Sequence, residues 1–282
     1  MRVAISTLAF LGQKIEEIIE EAERESYIIE FSSGLPYRSD MKEIYQNAKI
    51  ERLPHNYFPA PEVPFVLNLA SSDAGIREMS VDHCIQGLEL AVHSKSPFYA
   101  AHAGFCIDPA PSELGHKLSQ NQEFNREENW NLFISSVQSV LKEAQRLNID
   151  FLIENNVVAD FNIRSDGRNP LLCGNPDEIE RLVHEIGNDR FGILLDTAHL
   201  KVSATVLGFQ LDSAVRRILP YLRGCHHSDN EGKRDTNEPL TDHYWFLPYM
   251  PALEERTHVI EVARLNRNQI HEQKRLLERT IK

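Results

Sequence analysis

The residues of this chain that could carry chemistry are carboxylate and imidazole side chains placed where short apolar runs end. Phe151, Leu152 and Ile153, for example, lead directly into Glu154. Six runs end this way, and they supply seven candidate residues: His55, His102, Glu154, Asp196, His199, His226 and Glu261. An unpaired charge at the edge of a packed core is strongly destabilising, and a bound cation would offset that cost. The pattern therefore predicts a divalent-metal site.

Residue type limits which metals fit this set. Mixed carboxylate and imidazole ligands accept Mn²⁺, Mg²⁺, Co²⁺ or Zn²⁺ without strong discrimination. Each residue taken alone is equally well explained as a capping residue or a hydrogen-bonded structural group. The hypothesis therefore depends on convergence of the side chains, which requires strands that close around a common opening.

Eight apolar runs alternate with longer segments of helical spacing, which is typical of repeated strand–helix units and a parallel sheet. The runs cover residues 2–6, 27–31, 50–53, 98–101, 150–153, 191–195, 222–225 and 258–260. Helices are predicted at residues 15–25, 81–93, 130–147 and 178–186. The last of these has a clear start, because Asn175 can cap it and Pro176 fits the first helical position.

Four long loops follow predicted strands, at residues 55–76, 103–126, 155–175 and 228–250. In a barrel of parallel strands all such loops emerge at the carboxyl ends of the strands, where active sites are built. A doubly wound open sheet gives a similar alternation, but no G-x-G-x-x-G motif follows the first strand. The length of 282 residues, without an internal linker, suits one α/β domain, a (β/α)8 TIM barrel over residues 1–282.

Composition argues against several function classes. The formal net charge of −12 opposes binding to nucleic-acid phosphates, which normally needs a basic face. No apolar stretch approaches the roughly 20 residues that span a bilayer. The first residues do not resemble a signal peptide, so we expect a cytoplasmic protein. The four cysteines lie far apart and are expected to be reduced thiols: Cys84, Cys106, Cys173 and Cys225.

Taken together, the segments around the candidate residues resemble the xylose isomerase-like barrels, which include sugar phosphate isomerases and epimerases, ketose 3-epimerases and endonuclease IV. The resemblance covers essentially the whole chain. It is carried by residues 53–59 (LPHNYFP), 101–104 (AHAG), 153–155 (IEN), 195–199 (LDTAH), 225–229 (CHHSD) and 259–261 (VIE). Each segment alone is weakly specific, whereas their order and strand placement are fairly specific together.

The epimerase branch of this resemblance implies one metal held by four residues: Glu154, Asp196, His226 and Glu261. It also implies that Glu154 and Glu261 act as acid and base. Adjacent strand residues point to opposite faces, so only one of His226 and His227 reaches the opening. The register of the family motif selects His226.

The endonuclease branch implies further metal ligands at four positions: His55, His102, His199 and Asp235. In that branch a histidine stands two residues after the aspartate, whereas this chain has Asn237. The amide places a third metal in doubt. We therefore assign His55, His102, His199 and Asp235 to a second metal site or to substrate binding.

The resulting hypothesis is a metal-dependent isomerase or epimerase that moves a proton next to a carbonyl through an enediolate. The expected partner is a small-molecule sugar or sugar phosphate. Weaker substrate contacts are predicted at Glu30, Arg164, Lys233 and Arg234. The cations among them would meet a phosphate, and Glu30 would meet a sugar hydroxyl or form a structural ion pair.

Two alternatives stay open. The first is a metal-dependent phosphodiesterase acting on abasic DNA, which the extra histidines favour and the acidic charge and Asn237 oppose. The second is a non-catalytic sugar-binding barrel. Barrels commonly form homo-oligomers, but no surface stripe in this sequence identifies an interface.

Overall fold

Eight parallel strands form the centre of the structure, a computed structural model that describes residues 1–119 and 121–279. They are β1 (Arg2–Ser6), β2 (Ile28–Phe31), β3 (Arg52–Pro54), β4 (Phe98–His102), β5 (Asp150–Glu154), β6 (Phe191–Asp196), β7 (Leu222–His227) and β8 (Thr257–Ile260). All eight predicted runs are confirmed as strands, with small shifts at their ends.

The strands close into a nearly complete ring in the order β3-β2-β1-β8-β7-β6-β5-β4, with every pairing parallel. The two end strands meet through an isolated parallel bridge between His55 and Ala100. There the amide of Asn56 donates to the carbonyl of Ala100 at 2.8 Å. This closure confirms the barrel over the doubly wound open sheet.

The helices surround the strands. They are α1 (Ile15–Glu25), α2 (Met41–Asn47), α3 (Ala74–Ser94), α4 (Arg126–Leu147), α5 (Pro176–Ile186), α6 (Thr197–Leu207), α7 (Leu211–Ile218) and α8 (Arg267–Arg279). Side chains cap the first turns of α3, α4, α5 and α6. The side chain of Asn175 accepts from the amide of Glu178 at 3.0 Å, as the capping prediction requires. Helices α3 and α4 begin earlier than predicted, because Asp73 and Asn125 cap them.

The layer of helices has two departures from a strict strand–helix repeat. Two helices, α6 and α7, follow β6, and between β7 and β8 the chain forms the 3-10 helix Leu247–Leu253. No helix within residues 1–119 and 121–279 combines the length and apolar character needed to cross a membrane.

The barrel interior is packed rather than hollow below its opening. One buried cluster joins side chains from six strands: Ala4, Leu53, Phe98, Ala100, Leu152, Leu194 and Val259. Since side chains alternate between the faces of a strand, the residue two positions further along each strand also points inward. Those positions are Ser6, His55, His102, Glu154, Asp196 and Glu261. The apolar floor therefore carries a polar layer at the carboxyl ends of the strands.

Helix α3 approaches β4 at Gly87 because glycine has no side chain there. A Cβ at this position would lie 2.2 Å from the ring of Tyr99. The hydroxyl of Tyr99 in turn donates to the carbonyl of Asn56 at 2.6 Å, so the same contact positions the loop that follows β3.

We predict that Gly87→Ala destabilises the protein by about 1–3 kcal/mol, because overpacking outweighs the higher helix propensity of alanine. The free energy of unfolding in urea would measure the change. Gly34→Ala is the matched control, since a Cβ there has only the Ser32 hydroxyl nearby, at 3.8 Å. Equal stability of the two variants would contradict the packing argument.

Candidate active site

Four consecutive strands place one ligand-type side chain each at the opening of the barrel. Glu154 ends β5, Asp196 ends β6, His226 lies near the end of β7, and Glu261 directly follows β8. Asp196 and His226 are register partners, and the amide of Glu261 donates to the carbonyl of His227 at 3.0 Å. One ligand-type atom from each of the four lies within 4.8 Å of the others.

The imidazole of His226 lies at the centre of this group of four, which we call the carboxylate cluster. Its Nδ1 is 2.7 Å from Glu261 Oε2, 3.5 Å from Glu154 Oε1 and 4.0 Å from Asp196 Oδ2. His226 is fully buried, and Glu154 and Asp196 are almost completely so. Three carboxylates therefore face one imidazole nitrogen, and of the four side chains only that of Glu261, 16% exposed, is partly open to solvent.

Two carboxylate oxygens of the cluster fit a cation because they have no hydrogen-bond partner. Asp196 Oδ1 accepts from the amide of His199 at 2.7 Å, whereas the buried Oδ2 has no hydrogen bond. Glu154 Oε2 also has none, although His55 Nε2 lies 3.0 Å away. Buried polar atoms without partners are rare and destabilising, and a divalent cation would satisfy both oxygens.

The pKa of Asp196 also indicates that the carboxylate cluster needs a positive charge. Burial raises the pKa of Asp196 to about 8; His199 opposes this shift, while Asp235, Glu261 and Glu154 add to it by repulsion. A positive charge between the carboxylates would remove the repulsion and keep Asp196 ionised.

Glu154 and Glu261 are held ionised by neighbouring imidazoles. Burial acts to raise the pKa of Glu154, but the charges of His102, His226 and His55 together hold it well below its usual range. Burial acts in the same way on Glu261, and the charge and hydrogen bond of His226 lower its pKa. Both groups are therefore available as ligands or as proton acceptors.

Glu30 lies behind His226 rather than at the cavity wall. Its Oε2 is 3.0 Å from His226 Nε2, and the residue is 1% exposed. A carboxylate that accepts from the far nitrogen of a ligand histidine fixes the tautomer and the ring orientation. Of the two roles predicted for Glu30, the geometry matches the structural ion pair, with an imidazole that sequence reasoning had not identified as its partner.

His55 and His102 flank Glu154 on the side away from Asp196. Their Nε2 atoms lie 3.0 Å and 3.4 Å from Glu154 Oε2, and the three residues form a second group with ligand-type atoms within 4.8 Å of one another. Glu154 is therefore shared between two adjacent groups of possible ligands.

His199 and Asp235 approach each other, with His199 Nε2 3.3 Å from Asp235 Oδ2. Asn237 does not join them as a ligand, because its side-chain amide donates to the carbonyl of Glu261 at 3.2 Å. No ligand group within residues 1–119 and 121–279 includes Asp235. The amide thus supports the backbone at Glu261 where a histidine would have faced the opening.

His227 points to the opposite face of β7 from His226. It is fully buried, and its ring contacts the hydroxyl of Tyr244 at 3.0 Å and His258 Nδ1 at 2.8 Å. It takes no part in the carboxylate cluster, in agreement with the alternation that separated the two histidines.

The three predicted cationic contacts, Arg164, Lys233 and Arg234, differ in their burial and in whether they line the cavity. Arg164 is buried, and its guanidinium donates to the carbonyl of Gln122 and lies over the ring of Phe124, 5.5 Å from its centre. Lys233 is exposed and does not line the cavity at the barrel opening, whereas Arg234 does. Arg234 lies over Phe161, with its guanidinium carbon 5.4 Å from the ring centre.

A cavity of about 670 Å³ lies next to the carboxylate cluster, and its wall includes His102 and His199, whose ring nitrogens lie 3.4 Å and 3.7 Å from Glu154. His102, His199 and Asp235 form part of its wall, and the long loops after β3, β4 and β5 form most of the remainder. This volume lies within the roughly 300–1,000 Å³ typical of small-molecule pockets. The arrangement suits a small organic substrate that reaches the carboxylates from the solvent side.

Comparison with known proteins agrees with this architecture. The sequence profile of the family described as xylose isomerase-like TIM barrel matches residues 15–276. No curated protein sequence matches the chain.

Several solved structures share the fold at low sequence identity. A D-tagatose 3-epimerase-like protein is 16% identical with a TM-score of 0.72, and the match covers 100% of this chain and 97% of that one. The IolI protein with a bound zinc atom is 13% identical with a TM-score of 0.69, over 100% and 98% of the two chains. The 3-keto-D-glucoside 4-epimerase YcjR from E. coli is 11% identical with a TM-score of 0.67, over 99% and 98%.

The profile match spans most of the chain, and the strand order and the position of the cavity are those expected of the fold. This chain belongs to the xylose isomerase-like TIM barrel family.

Proposed function

We propose that this protein is a metal-dependent sugar isomerase or epimerase that transfers a proton next to a carbonyl. The observation that carries the proposal is the carboxylate cluster, in which the buried oxygen Asp196 Oδ2 has no hydrogen-bond partner. The similar solved structures include epimerases of D-psicose and L-ribulose and the zinc-bound IolI protein. These neighbours make an isomerase or epimerase the favoured class of enzyme.

The ligands of the proposed metal are Glu154, Asp196, His226 and Glu261. A divalent cation in this position would act as a Lewis acid and stabilise negative charge on the substrate's carbonyl oxygen. Neutral imidazole and ionised carboxylates are the forms that bind metal, and the hydrogen bond to Glu30 leaves His226 Nδ1 facing the other three ligands.

Glu154 and Glu261 are the proposed proton-transfer groups. They come from β5 and β8, so they approach the centre of the opening from different sides of His226. One would remove the proton from the carbon next to the carbonyl, and the other would return a proton. Return to the opposite face of the same carbon gives epimerisation, and return to the neighbouring carbon gives isomerisation.

Phosphate recognition has little support among the described residues. Arg164 is engaged with residues 122 and 124, and Arg234 is the one predicted cation that lines the cavity. The carboxylate of Asp235 in the cavity wall also repels a dianion. A neutral keto-sugar therefore fits the site better than a sugar phosphate.

One observation favours the phosphodiesterase alternative, namely the second group formed by His55, His102 and Glu154. The net charge of −12 and the engaged amide of Asn237 oppose it. Incubation with abasic-site duplex DNA and added Zn²⁺ or Mn²⁺ separates the two functions. Efficient nicking would overturn the isomerase proposal.

We predict that the protein, supplied with Mn²⁺ in D₂O, incorporates deuterium next to the carbonyl of a ketose, as measured by proton NMR across a panel of ketohexoses and ketopentoses. Glu261→Gln should lower the exchange rate by roughly 10²–10⁴-fold, because the amide cannot accept the proton. Asp212→Asn is the control, since this aspartate lies on the surface of α7. Undiminished exchange in Glu261→Gln would exclude Glu261 as a proton-transfer group.

We predict that Asp196→Asn weakens Mn²⁺ binding by about 100-fold or more, since it removes a charged ligand from a buried cluster. Isothermal titration calorimetry on the metal-free protein would measure the affinity. Asp212→Asn again serves as control, and thermal unfolding of both variants checks that they are folded. Equal affinities of wild type and Asp196→Asn would place the metal elsewhere.

We predict that Glu30→Gln weakens Mn²⁺ binding by about 10–100-fold, because the amide orients His226 less firmly than the carboxylate does. Titration calorimetry again measures the affinity. The expected loss is smaller than that of Asp196→Asn, because Glu30 acts through His226. A loss as large as that of the aspartate variant would instead make Glu30 a direct ligand.

A further inference from the structure

The cavity next to the carboxylate cluster is lined by two chemically different sets of side chains. One set is polar and includes His102, His199 and Asp235. The other set, which we call the apolar chamber, consists of Phe65, Val66, Phe105, Leu118, Phe161 and Leu171. Val66, Phe105, Leu118 and Leu171 belong to one buried apolar cluster that is separate from the main core.

The chamber is built on braced loops. Phe105 and Leu171 form an antiparallel bridge between the loops after β4 and β5. The amide of Cys106 donates to the carbonyl of Pro170 at 2.6 Å, and the amide of Leu172 donates to the carbonyl of Gly104 at 3.1 Å. These bonds hold the apolar side chains in place without a ligand, so the chamber is a preformed part of the site.

Two asparagines that line the cavity beside the chamber already use their side-chain amides within the protein. The amide of Asn156 donates to the carbonyls of Ala103, Gly104 and Leu172 at 2.9–3.1 Å. Asn162 accepts from the amide of Ala159 and donates to the carbonyl of His116. A sugar hydroxyl placed in the chamber would lose its water without gaining an equivalent partner, which is unfavourable.

Size leads to the same conclusion. The volume of about 670 Å³ is in the range of pockets that hold drug-sized ligands, which are larger than one monosaccharide. The remaining space is enclosed by aromatic and aliphatic side chains, and transfer of apolar surface from water into such a space is favourable by about 25 cal/mol per Å². Phe65 and Phe161 add the edge and face contacts that aromatic groups prefer.

We infer that the substrate is a keto-sugar or keto-polyol that carries an aromatic substituent, with the ketone at the carboxylate cluster and the aromatic ring in the apolar chamber. The placement of the ketone at the carboxylate cluster rests on the proposed function. The placement of the aromatic ring rests on the apolar chamber alone, so the two placements can be tested separately.

The test uses two probes that differ only in the apolar group, methyl and phenyl 3-keto-β-D-glucopyranoside. Titration calorimetry with the Mn²⁺-loaded protein measures the Kd of each probe, and proton NMR in D₂O measures deuterium exchange. We expect the phenyl probe to bind about tenfold or more tightly than the methyl probe, the ratio that roughly 1.4 kcal/mol of additional burial gives.

Two variants remove ring surface from the chamber, Phe65→Ala and Phe161→Ala. Neither residue is fully buried, so we expect both variants to fold. Using two variants keeps the test valid if one of them fails to fold. Each should move the ratio of the two Kd values toward one. The matched control is Val63→Ala, which lies two residues from Phe65, is 78% exposed and does not line the cavity; it should keep the wild-type ratio.

The outcomes distinguish the two proposals. Equal Kd values for the two probes in the wild type, or failure of both probes to bind, would overturn the aromatic substituent. Deuterium exchange into a free ketose would then still support the proposed function. A strong phenyl preference without exchange on any probe would support the chamber and overturn the proton transfer.

Discussion

The structure depends on how a closed barrel accommodates buried negative charge. Glu30, Glu154 and Asp196 are each at most 1% exposed, and Glu261 and Asp235 lie beside them. Imidazoles compensate part of this charge, yet oxygens of Glu30, Glu154 and Asp196 have no hydrogen bond. Buried carboxylates this close together would destabilise an ordinary protein core, because they repel one another. The same carboxylates attract a divalent ion, so their proximity is what a cation site requires.

The strand geometry turns this constraint into a site. Inward-facing residues recur every second position, so a strand that contributes Leu152 to the floor contributes Glu154 to the opening, and Leu194 is followed by Asp196 in the same way. Glu154 is the register partner of Leu194, and Asp196 is the register partner of His226. Because all these strands are parallel, their carboxyl ends bring the polar positions to the same opening. The apolar floor thereby excludes water from one side of the cluster, and access remains from the loops.

The loops decide what can reach the cluster. Those after β4 and β5 are joined by backbone hydrogen bonds and turn apolar side chains toward the cavity. Arg164 is the buried member of the predicted cationic contacts, and its guanidinium donates a hydrogen bond to the carbonyl of Gln122 in the loop after β4. Chemistry at the strand ends and selectivity in the loops are thus separate properties of the same fold, as is common among barrel enzymes.

The sequence by itself determined the strands and the list of polar strand ends, because these follow from local periodicity. Periodicity fits a doubly wound sheet as well, and the barrel was predicted from the polar strand ends and the family resemblance. The two-residue alternation of a strand showed that only one of His226 and His227 could face the opening, and the resemblance to the family motif selected His226. Only the tertiary structure decided the pairing of Glu30 with His226, the hydrogen bond from Asn237 to the backbone of Glu261, and the existence of the apolar chamber. These features join residues that are far apart in the chain or depend on the conformation of loops. Such contacts leave no periodic signal in the sequence.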